Sequence, residues 1–205
     1  MPSIYNMKPR FQQRLRPLMH GLASRGWRPN AITLFALYGS CGVGGLLVTA
    51  VYAPAVLLVL PVWLLVRMAL NALDGMMARE LHMATRRGAV LNELGDVLAD
   101  AALYLPFALV YAPAQWGVIA FVLGAILTEF CGVLGHALTG TRQYAGPMGK
   151  SDRAVLVSAL AVLTGCVPAA MALWPWVFGV AALLTALTCW HRLAALLHDG
   201  PDGER

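Results

Sequence analysis

Carboxylate and amide side chains recur at helical spacing within the apolar middle of this chain. Asn71 and Asp74 lie three residues apart. After a short basic stretch, Asn92, Asp96 and Asp100 follow at intervals of four. Because residues three and four apart share a helix face, each set predicts one polar stripe. Ionisable groups inside a membrane-spanning segment are costly and usually mark a substrate, ion or catalytic site. These stripes are therefore the candidate functional site if the segment spans a membrane.

The two stripes have the chemistry of a hard metal site beside a phosphate site. A short loop would join the two helices as antiparallel neighbours, so that their polar faces meet. Oxygen ligands suit Mg²⁺ or Mn²⁺, whereas zinc prefers nitrogen and sulfur. Gly75 and Ala78 leave space against the helix backbone, and donors suited to phosphate oxygens flank that space. These donors are Arg79, Thr85, Arg86 and Arg87. The pattern predicts a metal-bound polyphosphate at the membrane surface.

Composition places the stripes in an integral membrane protein. The 205 residues are 59% hydrophobic and only 12% charged, and the mean hydropathy is +0.66, whereas soluble domains carry roughly 25% charged residues. Six apolar runs reach the length of about 20 residues that a spanning helix needs. They cover about 30–52, 55–80, 88–112, 115–140, 153–173 and 175–198. We therefore expect an all-α integral membrane fold with six transmembrane helices and no second soluble domain.

The distribution of basic residues predicts the orientation of these spans. Lys and Arg concentrate before the first span and in the loops at 80–88 and 141–152, whereas the turns at 53–54, 112–113 and 167–175 contain none. The positive-inside rule then places both termini and both basic loops in the cytoplasm. The net charge of +5 belongs to a face turned toward anionic headgroups, which makes nucleic acid an unnecessary partner. We expect a multi-pass protein of a bacterial inner membrane, in contact with membrane lipids.

The N-terminal segment has the pattern of a separate interfacial helix. Its apolar residues fall near one helical face and most of its basic residues lie elsewhere, as in helices that lie along a membrane surface. The apolar set is Met7, Phe11, Leu15, Leu18, Met19 and Leu22. We expect residues 1–28 to form a cytoplasmic amphipathic helix and linker, residues 29–198 to form the six-helix membrane domain, and residues 199–205 to form a disordered tail.

Three segments of the sequence resemble the class I CDP-alcohol phosphatidyltransferase family. The central segment has the family's spaced signature, and two others are similar to its segments before the first and fifth spans. They are Asp74-Gly75-x-x-Ala78-Arg79 with Gly88 and Asp96 downstream, Pro29-Asn30-x-Ile32-Thr33, and Gly149-Lys150-Ser151-x-Arg153. The resemblance covers nearly the whole chain, and its core spacing is specific.

The resemblance implies a reaction and a set of roles. The enzyme would transfer a phosphatidyl group from CDP-diacylglycerol to a hydroxyl acceptor in phospholipid biosynthesis, releasing CMP. Asp96 would take the proton from the acceptor hydroxyl, with Mg²⁺ or Mn²⁺ as the cofactor. The metal ligands would be Asn71, Asp74, Asn92 and Asp96, with Asp100 as a further acid. The nucleotide and its phosphates would contact Asn30, Thr33, Gly75, Ala78, Arg79, Thr85 and Gly88.

Two asparagines distinguish this chain from the family's pattern of four aspartates. Asn71 and Asn92 stand at the first and third positions, so the chain represents a branch with two fewer negative charges. An amide oxygen can coordinate a hard cation but adds no charge. Asp100, one turn beyond Asp96, is the better-placed compensating acid. The number of bound metals, one or two, stays open at this point.

The acceptor is less constrained than the donor. Arg142, Lys150 and Arg153 converge on the predicted cytoplasmic mouth and favour a phosphorylated acceptor such as glycerol 3-phosphate or an inositol phosphate. Solvated membrane-surface charges explain the same residues equally well. A serine or a second lipid alcohol as acceptor also stays open.

Other polar residues in the spans admit more than one interpretation. Arg67 is expected to neutralise Asp74 or to hold an acid of the fourth span. Glu129 and His136 would form either a proton relay or, more commonly, a satisfied buried pair involving Arg67 or Thr128. Arg192 would contact lipid headgroups.

The sequence is also compatible with two other classes of function, and we expect one oligomeric state. One alternative function is a catalytically degenerate CDP-lipid-binding protein, and a weaker one is a small-solute transporter. Transport predicts polar groups throughout the bilayer and inverted-repeat symmetry, whereas this chain gathers its polar groups at one end. The expected oligomeric state is a homodimer, although no individual residue indicates it.

Overall fold

The computed structural model describes residues 7–198. The predicted tail at 199–205 and the first six residues of the predicted N-terminal segment lie outside the described residues. Within the described range the chain forms helices and 3₁₀ turns and no β-strand. The α-helices are α1 (Met7–Ser24), α2 (Pro29–Leu47), α3 (Val59–Glu80), α4 (Arg86–Tyr104), α5 (Pro106–Val110), α6 (Gln115–Thr139), α7 (Lys150–Cys166) and α8 (Trp174–His198). The 3₁₀ turns are Val48–Val51, Pro54–Leu58, Ala112–Ala114 and Pro168–Leu173.

The all-helical prediction is therefore confirmed, and four helical segments are long and apolar enough to cross a membrane. These are Pro29–Val51, Pro54–Glu80, Ala112–Thr139 and Pro168–Leu197. Two of the six predicted spans fall short for physical reasons. Helix α4 carries its charged residues along its length, and α7 has only 17 residues.

The chain divides into two compact units, and the first contains α1 and most of each of α2, α3 and α4. This unit joins the chain up to Gly42 with Val62–Ala99. Its core is a buried cluster of apolar side chains contributed by the first three of these helices. The cluster consists of Met19, Ile32, Leu73, Met76 and Met77, with Leu15 and Leu22 packed against it. Part of the predicted apolar face of α1 therefore packs on α2 and α3.

An ion pair also ties α1 to α3 in this unit. Arg16 Nε donates to Glu80 Oε2 at 3.0 Å, and both side chains are substantially exposed. Exposed ion pairs contribute little, typically below about 1 kcal/mol. The apolar cluster therefore accounts for more of the docking of α1 than this pair does.

The second unit joins Val43–Pro61 with the chain from Asp100 onward. Helices α6 and α8 pack together along their length, and Gly124 allows close approach because a Cβ there would clash with Thr185. Aromatic rings fill the end near the start of α8, where Phe107 lies 4.8 Å from Trp174 between ring centroids. Trp174 Nε1 donates to Thr164 Oγ1 at 2.9 Å, so the buried indole is satisfied. This packing fixes the helices that carry the charged cluster described below.

Candidate functional site

Helices α2 and α3 bring a hydroxyl group against the first motif carboxylate. Asp74 lies on α3 and is only 5% exposed. Thr33 Oγ1, from the first turns of α2, donates a hydrogen bond of 2.8 Å to Asp74 Oδ2. A buried carboxylate requires such partners, because desolvation otherwise disfavours its charged form. The Pro-Asn-x-x-Thr segment thus contributes directly to the environment of the motif aspartate.

Helices α3 and α4 face each other through the second motif carboxylate, as the two stripes predict. Asn71 Nδ2 on α3 donates to Asp96 Oδ1 on α4 at 2.8 Å. Arg67 Nη2 donates to the same oxygen at 3.1 Å and to the Asp96 backbone carbonyl at 3.0 Å. Asp74 lies three residues beyond Asn71 on α3, so the two motif positions share a face. The polar stripes of the two helices therefore meet.

The structure gives Asn71 a role that an aspartate could not fill. An amide nitrogen donates to Asp96, whereas a carboxylate at the same place would add a second negative charge within hydrogen-bond distance. The sequence left open whether Arg67 neutralises Asp74 or holds an acid of the fourth span. The structure shows Arg67 paired with Asp96 of α4, a partner that neither expectation named. Its position four residues before Asn71, on the same stripe, was the available signal.

The start of α4 brings together three of the predicted phosphate-binding positions. Thr85 Oγ1 accepts a hydrogen bond of 3.0 Å from the Gly88 backbone nitrogen, which caps the helix. A Cβ at Gly88 would lie 2.7 Å from Asn30 Oδ1 and 3.0 Å from Thr85 Oγ1. A side chain at this position would therefore require the Asn30 amide to move away from the start of α4. The backbone nitrogens of a helix N-terminus also favour anionic ligands.

The remaining predicted nucleotide and metal positions lie on α3 and α4. At Gly75, which is half-buried, a Cβ would lie 3.3 Å from the terminal nitrogens of the Arg79 guanidinium, so the Arg79 side chain lies along the glycine backbone. Ala78 and Asn92 are both half-buried. The predicted ligand Asp100 is buried in the second unit, where Oδ2 accepts from Arg153 Nη2 at 3.4 Å. Asp100 thus already has a cationic partner.

The donor set can be compared with what a divalent cation requires. Within residues 7–198, no group of three or more His, Cys, Asp and Glu side chains is arranged to hold a metal ion. A site at the motif would therefore use amide oxygens as well as the carboxylates of Asp74 and Asp96. Amide and carboxylate oxygens are both hard ligands of the type that Mg²⁺ and Mn²⁺ accept. Two carboxylates match the charge of one divalent cation, so the residues fit a single ion better than two.

Two of the predicted acceptor residues, Arg142 and Arg153, belong to a charged cluster in the second unit. Arg153 on α7 is fully buried, and its Nη2 donates to Glu129 Oε1 on α6 at 2.8 Å. Arg142 Nη2 donates to the other oxygen, Glu129 Oε2, at 2.9 Å. Glu129 therefore forms ion pairs with two arginines. Lys150 is the first residue of α7.

Arg192 is a member of this cluster that the sequence did not identify. We expected it to contact headgroups, yet it is only 3% exposed. Its guanidinium donates to the backbone carbonyl oxygens of Thr128 and Ala145. It thereby fastens the 140–149 loop to α6 and α8. No spacing within α8 signals this role, because both partners lie in other parts of the chain.

The sequence resembles known proteins over nearly its whole length. The model of the CDP-alcohol phosphatidyltransferase family matches residues 27–198. The inner membrane protein YnbA of Escherichia coli strain K12 is 44% identical over 195 residues, covering 95% of this chain and 96% of that protein. The phosphatidylinositol phosphate synthase of Mycobacteroides abscessus is 26% identical over 207 residues, covering 89% of this chain and 84% of that enzyme.

The fold also resembles solved structures of one enzyme. The phosphatidylinositol phosphate synthase of Mycobacterium tuberculosis with CDP-DAG bound gives a TM-score of 0.76 at 21% identity, covering 92% of this chain and 96% of that one. The same enzyme in complex with manganese and citrate gives a TM-score of 0.77 at 21% identity, covering 92% and 91%. At 21% identity, these matches show similarity of the fold alone.

Proposed function

Because the chain belongs to the CDP-alcohol phosphatidyltransferase family, we propose that it transfers a phosphatidyl group from CDP-diacylglycerol to a hydroxyl acceptor and releases CMP. The observation that carries this proposal is the meeting of the α3 and α4 stripes, where Asn71 and Arg67 both bind Asp96 Oδ1. Family membership makes the protein a transferase of phospholipid biosynthesis. The donor and the roles of individual residues are the finer proposal.

In the proposed reaction Asp96 is the general base. Arg67 and Asn71 both hold its Oδ1, so the orientation of the carboxylate is fixed before the acceptor arrives. Asp96 takes the proton of the acceptor hydroxyl as that oxygen bonds to the lipid-side phosphorus. The bond from this phosphorus to the bridging oxygen breaks, and the bridging oxygen leaves with CMP. Arg67 and Asn71 act as positioning residues.

A single Mg²⁺ or Mn²⁺ ion is the proposed cofactor. Asp74 and Asp96 would supply its negatively charged ligands, and Asn71 and Asn92 would supply neutral oxygens. When bound, the ion neutralises the pyrophosphate charge and aligns the reacting groups. Thr33 keeps the Asp74 carboxylate oriented by donating to Oδ2. The solved relative in complex with manganese supports a divalent ion in this family.

The proposed donor cradle lies at the start of α4 and beside α3. Asn30, Thr85 and Gly88 border one side, where the absent Cβ lets Asn30 approach the helix backbone. Gly75, Ala78 and Arg79 border the other, and Arg79 offers a bidentate guanidinium to phosphate oxygens. A CDP-DAG complex of a relative with this fold supports the donor assignment.

Replacing Gly88 by alanine is expected to weaken donor use. The new Cβ would lie 2.7 Å from Asn30 Oδ1 and must displace it. Loss of one hydrogen bond to a charged ligand raises the KM for CDP-diacylglycerol by about tenfold or more. The matched control is Gly95→Ala on the same helix, where the Cβ would make an ordinary contact of 3.5 Å with Thr33 Cγ2. Equal KM values for the two variants would contradict the cradle.

The proposed membrane topology has six spans and both termini in the cytoplasm. Four helical segments meet the length and hydropathy of a spanning helix, and the family model begins at residue 27 and ends at residue 198. We propose that α4 with α5, and α7 with the following 3₁₀ turn, provide the other two spans. Of the predicted segment at 1–28, the described residues 7–28 then form an amphipathic helix and linker at the cytoplasmic surface of an inner membrane. The tail boundary at 199 and the homodimer stay predictions.

Purified protein with radiolabelled CDP-diacylglycerol and a panel of alcohols tests the proposed reaction. CMP release that requires both an alcohol and Mg²⁺ or Mn²⁺ is the expected result. Donor binding without CMP release, at every concentration of either metal, would favour the degenerate CDP-lipid-binding alternative. The two asparagines give that alternative its support, because they leave fewer charges for metal binding.

A further inference from the structure

Glu129 lies between two guanidinium groups in the second unit, with one carboxylate oxygen on each. Oε1 accepts from Arg153 Nη2 at 2.8 Å, and Oε2 accepts from Arg142 Nη2 at 2.9 Å. The Glu129 side chain is 13% exposed. Two arginines that converge on paired oxygens are the usual recognition pattern for a carboxylate or a phosphate. Here the Glu129 carboxylate of the protein itself takes the place of a ligand's carboxylate or phosphate.

Arg153 directs its terminal N–H groups to protein acceptors. Nη1 donates to Thr128 Oγ1 at 2.8 Å and to the Met148 carbonyl at 3.3 Å. Nη2 donates to Glu129 and, at 3.4 Å, to Asp100 Oδ2. A guanidinium has four N–H groups on its two terminal nitrogens. A phosphate at these terminal nitrogens would have to displace one of these acceptors, and the Nε of Arg153, which has no hydrogen-bond partner among the described residues, is itself buried.

Most of the positive charge of the cluster is also balanced by acids of the protein. Three arginines, Arg142, Arg153 and Arg192, stand with the two acids Asp100 and Glu129, which leaves one positive charge among these five groups. An entering phosphate carries about two negative charges at neutral pH. It would approach the Glu129 carboxylate, and displacing that carboxylate would leave a buried charge without its partner. Repulsion by Glu129 and the cost of displacing it both disfavour the binding of a phosphorylated ligand at this cluster.

We propose that the acceptor of this enzyme is an alcohol without a phosphate group, because Glu129 occupies the guanidinium pair that a substrate phosphate would need. This inference rests on the proposed function and revises the phosphorylated acceptor expected from Arg142, Lys150 and Arg153. The cluster instead positions the loop at 140–149 and selects a hydroxyl compound by excluding anions. The Glu129 carboxylate would repel an anionic acceptor, and such repulsion gives specificity without any additional attractive contact.

Matched acceptor pairs test the inference by activity. Glycerol and glycerol 3-phosphate, and inositol and inositol 1-phosphate, differ only in the phosphate ester. Wild-type enzyme is expected to release CMP with an unphosphorylated alcohol and not with the phosphorylated member of a pair. Preference for a phosphorylated member would overturn the inference while leaving the proposed function intact. Absence of CMP release with every alcohol would instead count against the proposed function.

A phosphate-binding experiment tests the inference without turnover. Melting temperatures are compared in inorganic phosphate and in chloride of equal ionic strength, with CDP and Mn²⁺ present at saturation so that the proposed phosphate-binding positions of the donor cradle are already filled. Glu129→Gln is expected to melt lower than the wild type in chloride and to be partly restored by phosphate. The wild type is expected to show no response to phosphate. Glu80→Gln is the matched control, because it removes a carboxylate from the exposed Arg16 pair, and it should not gain a phosphate response.

Each result of the binding experiment decides the inference. A phosphate-dependent stabilisation of the wild type would overturn it, because the guanidinium pair would then be open to a phosphate. Lack of any phosphate response in a folded Glu129→Gln protein would also overturn it. If Glu129→Gln does not fold, the wild-type melting curves and the acceptor pairs still decide. In a folded variant, use of the phosphorylated acceptor relative to its partner should rise by about tenfold, the value of one charge-assisted contact.

Discussion

Replacing Asp96 by asparagine is expected to lower CMP release by about a thousandfold, because general bases typically contribute 10² to 10⁴ in rate. The asparagine oxygen can still accept hydrogen bonds from Arg67 and Asn71, so the local geometry is retained. The amide cannot take a proton from the acceptor hydroxyl. Binding of CDP-diacylglycerol should change far less than turnover. Two quantities are measured: kcat for CMP release, and the affinity for CDP-diacylglycerol by direct titration.

The control for this substitution is Glu93→Gln on the same helix. Glu93 lies about 100° from Asn92 around an ideal helix and is not one of the four motif positions. Its replacement removes a carboxylate from α4 without removing the proposed base. Because Arg67 is buried and pairs with Asp96, the melting temperature of Asp96→Asn must be recorded as well. A folded Asp96→Asn protein with wild-type turnover would remove Asp96 as the base.

Replacing Asp74 by asparagine is expected to abolish metal-dependent donor binding and reduce turnover by about a hundredfold or more, as loss of several kcal/mol of metal-mediated charge stabilisation implies. Asp74 is one of only two carboxylates at the four motif positions. An asparagine there keeps an oxygen that accepts from Thr33 Oγ1 but removes a negative charge. The measurement is a Mn²⁺ titration of donor binding and of CMP release.

Thr33→Val is the matched control for Asp74→Asn. It removes the 2.8 Å hydrogen bond to Asp74 Oδ2 and keeps the carboxylate. A hydrogen bond to a charged group is worth about 1.5–3 kcal/mol, so stability should fall while metal dependence persists. If Asp74→Asn retains the wild-type response to Mn²⁺, or if Thr33→Val loses it to the same extent, Asp74 is not the metal ligand.

The helical stripes were predictable because they depend on spacing alone. The intervals from Asn71 to Asp74 and from Asn92 to Asp96 determine which side chains share a face. A short loop between two helices makes them antiparallel neighbours, and the contact between Asn71 and Asp96 agrees with that expectation. The family signature also identified Gly88, although the close approach of Asn30 to it appears only in the structure.

The partners of the arginines were not predictable from spacing. Arg67 could reach several acids, and only the rotation of α3 against α4 selects Asp96. Glu129 and His136 suggested a relay because they share a face of α6. The partners of Glu129 come instead from α7 and from the loop after α6. Long side chains with many rotamers reach across helices, and a sequence pattern does not encode their direction.

The number of spans illustrates a different limit. Helix α4 has an apolar face but carries five charged residues, because the candidate site lies on it. Length and hydropathy alone therefore identify four spanning segments. A functional helix departs from the composition of a purely lipid-facing one, so the two remaining spans depend on the family and on the proposed topology.

The central claim is that the α3 and α4 stripes hold a divalent ion that binds the pyrophosphate of a CDP-linked donor. The melting temperature of the wild-type protein in CDP alone, Mn²⁺ alone and both together tests it most directly. The account predicts a rise with both that exceeds the sum of the separate effects, and its loss in Asp74→Asn. Stabilisation by CDP that is equal with and without Mn²⁺, or no stabilisation under any condition, would contradict the claim.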